Sequence, residues 1–134
     1  MTTNQKGAIA EAKIIARLAE LGEHVLVPYG RIGRYDIVLD RPSGFVRIEC
    51  KRGRVYKGCI TFHTSSRGGY GNKPPRGYLN DADIFAVWCP ETDKVYMIPV
   101  CEASSGSMCL RVENTKNGTN MSSVKWAADY EATS

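Results

Sequence analysis

The chain has 134 residues, of which 43% are hydrophobic and 24% charged, with a net charge of +4. That composition suits one well-covered domain over residues 1–134 and excludes a disordered tail. The longest unbroken apolar run, Ile84–Cys89, is far short of a bilayer span, and five cysteines without a CxxC pair argue against a disulfide scaffold or a zinc cluster.

Residues 4–21 are rich in Ala, Ile, Leu, Glu and Lys at helical spacing, and Gly22 stands where a C-terminal cap belongs, so a helix is expected there. Its first residues, 1–7, lack the apolar centre of a signal peptide, so a cytoplasmic protein with reduced thiols and no membrane segment is expected. Lys6, Lys13 and Arg17 share one stripe of the helix, while Ala8, Ile14, Ile15, Leu18 and Ala19 spread over the opposite side. Glu11 falls near the middle of that apolar side, where a carboxylate is costly unless something pairs with it.

Residues 23–28 read as a strand, followed by a loop containing Arg31 and Arg34. Residues 35–40 and 45–51 read as two strands joined by Arg41-Pro42-Ser43-Gly44, which is hairpin turn chemistry. With that turn Asp40 faces Phe45, and stepping back along the ladder brings Asp36 opposite Glu49. Directly opposed residues have Cβ atoms about 4.5–5.5 Å apart, and like charges there repel. Two carboxylates so placed want a cation, and hard oxygen donors without a Cys/His cluster favour Mg²⁺ or Mn²⁺. Strand period puts Arg47, Glu49 and Lys51 on one face and Val46, Ile48 and Cys50 on the other, so Lys51 projects beside Glu49 and Cys50 belongs to the core.

From Lys51 to Gly77 there are seven basic residues, Lys51, Arg52, Arg54, Lys57, Arg67, Lys73 and Arg76, and no Asp or Glu, which leaves the rest of the chain net acidic. Six glycines and Pro74-Pro75 in the same stretch suggest basic loops, with a further strand inside residues 55–64. Charge segregation of this kind points to a polyanion, most commonly a phosphate backbone. His63 with Ser65 and Ser66 lacks the nucleophile elbow of a hydrolase. Residues 83–89 and 94–100 read as two more strands around the turn Pro90-Glu91-Thr92-Asp93, with Asp83 capping or pairing locally. Residues 101–119 read mostly as loop and 122–130 as a short closing helix. The expected fold is α/β, a mixed β-sheet flanked by helices.

The series Gly7-x-x-x-Glu11, then Asp36, then Glu49-Cys50-Lys51 resembles the PD-(D/E)xK nuclease superfamily, with its restriction-endonuclease-like core. Lys6-Gly7…Glu11 and Ile48-Glu49-Cys50-Lys51 look like archaeal Holliday-junction resolvases. Asp83-Ile84-Phe85-Ala86-Val87, Val95-Tyr96-Met97-Ile98-Pro99-Val100, Leu110-Arg111-Val112 and Trp126-Ala127-Ala128-Asp129-Tyr130 are similar to the small group I intron-encoded homing endonucleases. Tyr35 stands where the family's name has a proline. The resemblance implies that Asp36, Glu49 and the Cys50 carbonyl bind Mg²⁺, with Mn²⁺ as a substitute. It further implies that Lys51 orients or activates the attacking water and that Glu11 holds a metal-bound water or a second ion. Arg31, Arg34, Arg52, Arg54, Lys57, Arg67, Lys73 and Arg76 would contact phosphates. The expected function is metal-dependent endonucleolytic hydrolysis of DNA by a homodimer or homotetramer. The alternatives are a Holliday-junction resolvase of the same chemistry and a non-catalytic DNA-binding module.

Overall fold

The computed structural model describes residues 1–30, 33–66, 76–113 and 124–133. Helix α1 (Thr3–Glu20) starts at a reciprocal cap: the Gln5 N–H donates to the Thr2 hydroxyl at 3.1 Å, and the Thr2 N–H donates to Gln5 Oε1 at 2.8 Å. Its buried row is Ala10, Ile14 and Leu18, each one turn after the last. Ala8 and Ala19, expected on the core side, are exposed. The helix meets the sheet along this single row, so Glu11 and Ile15 lie half-buried at its margin rather than at the centre of an apolar face.

The strands follow in chain order: β1 (Val25–Leu26), β2 (Ile37–Arg41), β3 (Gly44–Arg52), β4 (Arg54–Tyr56), β5 (Cys59–His63), β6 (Ser65–Ser66), β7 (Arg76–Gly77), β8 (Ile84–Cys89), β9 (Lys94–Pro99) and β10 (Ser107–Arg111). Five of them form a mixed sheet in the order β1-β2-β3-β8-β9. Only β3 and β8 pair in parallel there, with Ile48 opposite Ile84. Pro42 and Ser43 close the β2–β3 hairpin, leaving Arg41 opposite Gly44 and Asp40 opposite Phe45. One face of this sheet buries Ile37, Leu39, Ile48, Ala86, Trp88 and Val95 beneath α1. Phe85, Val87 and Ile98 point the other way, into a second core shared with Ile60, Phe62, Met108 and Leu110.

That second core is capped by a three-stranded sheet, β10-β5-β4. Among the described residues a sheet therefore takes the place of a helical layer on that side. Two local expectations are corrected there. Residues 107–111, read as loop, form β10, because Met108 and Leu110 alternate inward against Phe62 and Ile60. The closing helix expected over residues 122–130 is, where described, the 3₁₀ turn Ala127–Asp129. Its neighbours are held in bridges, Trp126 to Arg111 and Glu131 to Tyr96, which hold the backbone extended on both sides. No described helix is long and apolar enough to cross a membrane.

The crossover from β3 to β8 carries β4 and β5 and is clamped at both ends. At its exit, the Asp83 carboxylate accepts the Arg47 N–H at 2.8 Å and takes both prongs of its guanidinium at 3.3 and 3.2 Å. The Asp83 N–H donates back to the Arg47 carbonyl at 2.9 Å. This fork holds Asp83 below its ordinary pKa and Arg47 above its own, so Asp83 pairs locally as expected. At its entry, Gly53 turns the chain from one sheet into the other and donates to the Trp88 carbonyl at 2.9 Å. A Cβ on Gly53 would sit 2.8 Å from Ile60 Cγ2 and 2.9 Å from Val87 Cγ1, both on stiff β-branched side chains. Gly53→Ala is expected to cost about 1–3 kcal/mol by overpacking, read as a drop of several degrees in Tm.

Candidate active site

Asp36 sits one residue before β2, yet the ladder continues through it: its N–H donates to the Ile48 carbonyl at 2.8 Å. Asp36 Oδ2 in turn accepts the Cys50 N–H at 2.8 Å. Two backbone-anchored contacts thus hold the Asp36 carboxylate beside Glu49, and the two acidic side chains share a hydrogen bond. Burial, reinforced by the Asp36 charge and that hydrogen bond, pushes the Glu49 carboxyl up to about 8. Lys51 and the Tyr78 hydroxyl act in the opposite direction, favouring the ionised form. At neutral pH the Glu49 side chain therefore mostly keeps a proton, in the place where a cation would relieve the same repulsion.

Lys51 Nζ lies 3.8 Å from Glu49 Oε1, with the two side chains only 16% and 13% exposed, so solvent screens this contact weakly. The ammonium also rests 4.8 Å from the centre of the Tyr78 ring. A third side chain, Tyr78, completes this surrounding. No period or spacing in the sequence marks it. In the fold its ring stands edge-on to Phe85 and its hydroxyl bonds to Glu49. The Arg34 guanidinium stacks 4.1 Å from the same ring.

Glu11 approaches from the other side. It lines a cleft of ≈ 590 Å³ together with Gly7 and Ile15 of α1 and with Asp36, Glu49 and Cys50. Gly7, one turn before Glu11, leaves this stretch of helix open: a Cβ there would meet nothing within 4 Å. The Cys50 side chain packs with the core under α1, as strand alternation requires. Tyr35, in the proline position, packs against the second core. Among the described residues no three Cys, His, Asp or Glu side chains gather into a ready-made ligand set. The Asp36–Glu49 pair with Glu11 across the cleft still suits a hard cation that keeps several waters and takes one or two carboxylates.

The basic residues divide by position. Arg52, Arg54 and Lys57 are exposed. Arg34 is turned inward, donating to the Gly77 carbonyl at 2.6 Å and to Asp81 Oδ2 at 2.7 Å. Arg76 lies in β7, and Arg31, Arg67 and Lys73 lie outside the described residues.

The family model of PD-(D/E)XK endonucleases matches residues 1–133. The chain belongs to this family. The PD-(D/E)XK endonuclease described here is similar to a bacterial homing endonuclease, I-Ssp6803I, with a TM-score of 0.77 and 26% identity over 98% of this chain and 89% of that one. Comparison with the curated proteins gives no match. Family and fold make the chain a nuclease, and PD-(D/E)XK nucleases generally depend on a divalent metal.

Because the folded-state value of Glu49 is raised from 4.5 to about 8, the native state holds a proton that the unfolded chain gives up. Its contribution to stability is present below about pH 4.5 and lost as pH rises through about 8. Denaturant unfolding in EDTA should show the wild type losing stability across this window and Glu49→Gln losing much less.

Proposed function

We propose that the protein is a homing-type, Mg²⁺-dependent endonuclease that hydrolyses phosphodiester bonds in duplex DNA, with Mn²⁺ able to substitute. The observation that carries this reading is the half-buried Asp36–Glu49 contact with Lys51 held 3.8 Å from Glu49. Asp36, Glu49 and the Cys50 carbonyl would hold the ion, and Glu11 would support it across the cleft. When bound, the ion supplies Lewis-acid activation of the phosphate and lowers the pKa of water.

The remaining work falls to the chain's own groups. Glu49 must give up its proton to serve as an anionic ligand, so metal affinity rises with pH through about 8. Lys51, poised by Glu49 on one side and the Tyr78 ring on the other, orients the attacking water. Its charge also stabilises the negative charge that grows on the phosphate oxygens. Arg52 and Lys57 lie exposed on the strand and hairpin that lead away from this point, where they meet flanking phosphates. The described residues of each chain hold one such site, so cutting both strands takes a homodimer or homotetramer.

Supercoiled plasmid incubated with Mg²⁺ should be cut by the wild type, not in EDTA, and at least about 10²-fold more slowly by Glu49→Ala and Lys51→Ala. Equal cutting by either variant would remove that residue from the mechanism. A four-way junction in the same assay, cut in strong preference to linear duplex, would redirect the reading to a resolvase. Binding without cutting in both metals would redirect it to a DNA-binding module.

Tyr78→Phe keeps the ring under Lys51 but removes the hydroxyl that favours ionised Glu49. It is expected to weaken Mn²⁺ binding near pH 7, with much of the loss recovered at pH 9. A calorimetric titration at the two pH values, without DNA, makes the comparison.

A further inference from the structure

The outer surface of the second sheet is used by neither the cores nor the cleft. In the β4–β5 hairpin, Ile60 and Phe62 are buried and Val55 packs beside them against the second core. Strand alternation turns Arg54, Tyr56, Thr61 and His63 outward. The register sets them in rows: Arg54 opposite Thr61, then Thr61 opposite Cys109 and His63 opposite Ser107 on β10. These outward positions carry a guanidinium, a phenol, hydroxyls, thiols and an imidazole, and no carboxylate. The nearest acids stand at the borders, Glu113 against Gly58 at the turn and Glu91 at the backbone of Val55.

A solvated sheet face would account for the polarity, but not for how the hairpin's end is held. Tyr56 is 55% exposed, with the Arg54 and Lys57 charges over its ring at 5.6 and 5.4 Å. The two-residue turn uses positive φ at Lys57 (50°) and Gly58 (77°), the geometry of a tight hairpin. The Gly58 carbonyl accepts the Val112 and Glu113 N–H groups at 2.9 and 3.3 Å. The tip is thus rigid, cationic and aromatic, and rigidity lowers the entropic cost of ordering a recognition surface.

Building on the nuclease reading above, we propose that the β4–β5 hairpin enters the DNA major groove, with Arg54, Tyr56, Thr61 and His63 contacting base edges. B-DNA's major groove, about 12 Å wide, admits a two-stranded ribbon and presents a distinct donor–acceptor pattern for each base pair. Lys51 and Arg54 belong to consecutive strands three residues apart, at most roughly 10 Å of backbone across the Gly53 turn. A phosphate at Lys51 therefore lies beside bases within reach of the hairpin.

The test is selection from a pool of DNA duplexes with a randomised central stretch, bound by the full-length protein in EDTA so that cutting plays no part. Arg54→Ala, Thr61→Val and His63→Ala are run beside the wild type, each confirmed folded by its Tm. The wild type should enrich a defined motif. Each variant should lose roughly tenfold preference at one to three adjacent positions while keeping the others. A common motif for the wild type and all three variants, or no motif for the wild type, overturns the proposal. Equal competition by an RNA duplex of the enriched sequence overturns it as well, since the A-form major groove is closed to such a ribbon. Enrichment by a protein that leaves a duplex carrying the enriched motif uncut in both Mg²⁺ and Mn²⁺ would refute the nuclease reading and leave the hairpin assignment standing.

Discussion

Two carboxylates pressed together with little water around them are unstable company, and much of this molecule is arranged around that fact. Asp36 and Glu49 meet because the backbone gives them no alternative. Pro42 and Ser43 close the hairpin with Asp40 opposite Phe45, and the ladder then runs without a slip to the Asp36 N–H. A one-residue shift would turn Glu49 to the helix side and bring Cys50 into its place. The repulsion is met in the metal-free state by a retained proton, by the Lys51 ammonium and by the Tyr78 hydroxyl. The proton is the easily exchanged member of that set, and under the function proposed above a divalent ion would replace it.

The roles of charge elsewhere follow from burial. Arg34 and Arg47 belong to the same basic chain as Arg54 and Lys57, yet the first two are spent on the protein's own carboxylates and carbonyls. Arg34 braces the segment before β8 through Gly77 and Asp81, and Arg47 clamps the start of β8 through Asp83. Arg54 and Lys57 stand on a hairpin end and remain open to a partner. A count of basic residues measures the field around the molecule, whereas their assignment to phosphate or to framework depends on which acids and carbonyls the fold brings near.

What was legible in the sequence was local. Arg41-Pro42-Ser43-Gly44 named the turn, the turn fixed the register, and the register paired Asp36 with Glu49 and set Lys51 beside them. The helix was equally readable from its composition and Gly22, although its buried row was not. Which of several apolar stripes meets the sheet depends on the angle at which α1 crosses it, and no residue within the helix carries that angle. Glu11 accordingly lies at the margin of the contact. Tyr78 escaped for the same reason. Its importance comes from Lys51, Arg34 and Glu49, which are brought to it from strands and loops more than 25 residues away. The strand β10 is short, and its inward pair Met108 and Leu110 is meaningful only once β5 supplies the surface to receive it.

The double clamp on the crossover has an evolutionary consequence. Gly53 at one end and the Arg47–Asp83 fork at the other fasten the segment to β3 and β8, strands that already hold each other in parallel. Whatever lies between is tethered at two fixed posts, and the cleft with its acids is built almost wholly outside it. Such a segment behaves as a graft. On the hairpin assignment proposed above, the outward positions of β4 and β5 can change without disturbing the cleft, provided that Ile60 and Phe62 still fill the second core. Tyr78 marks the boundary of that freedom, since it belongs to the segment and touches both Glu49 and Lys51.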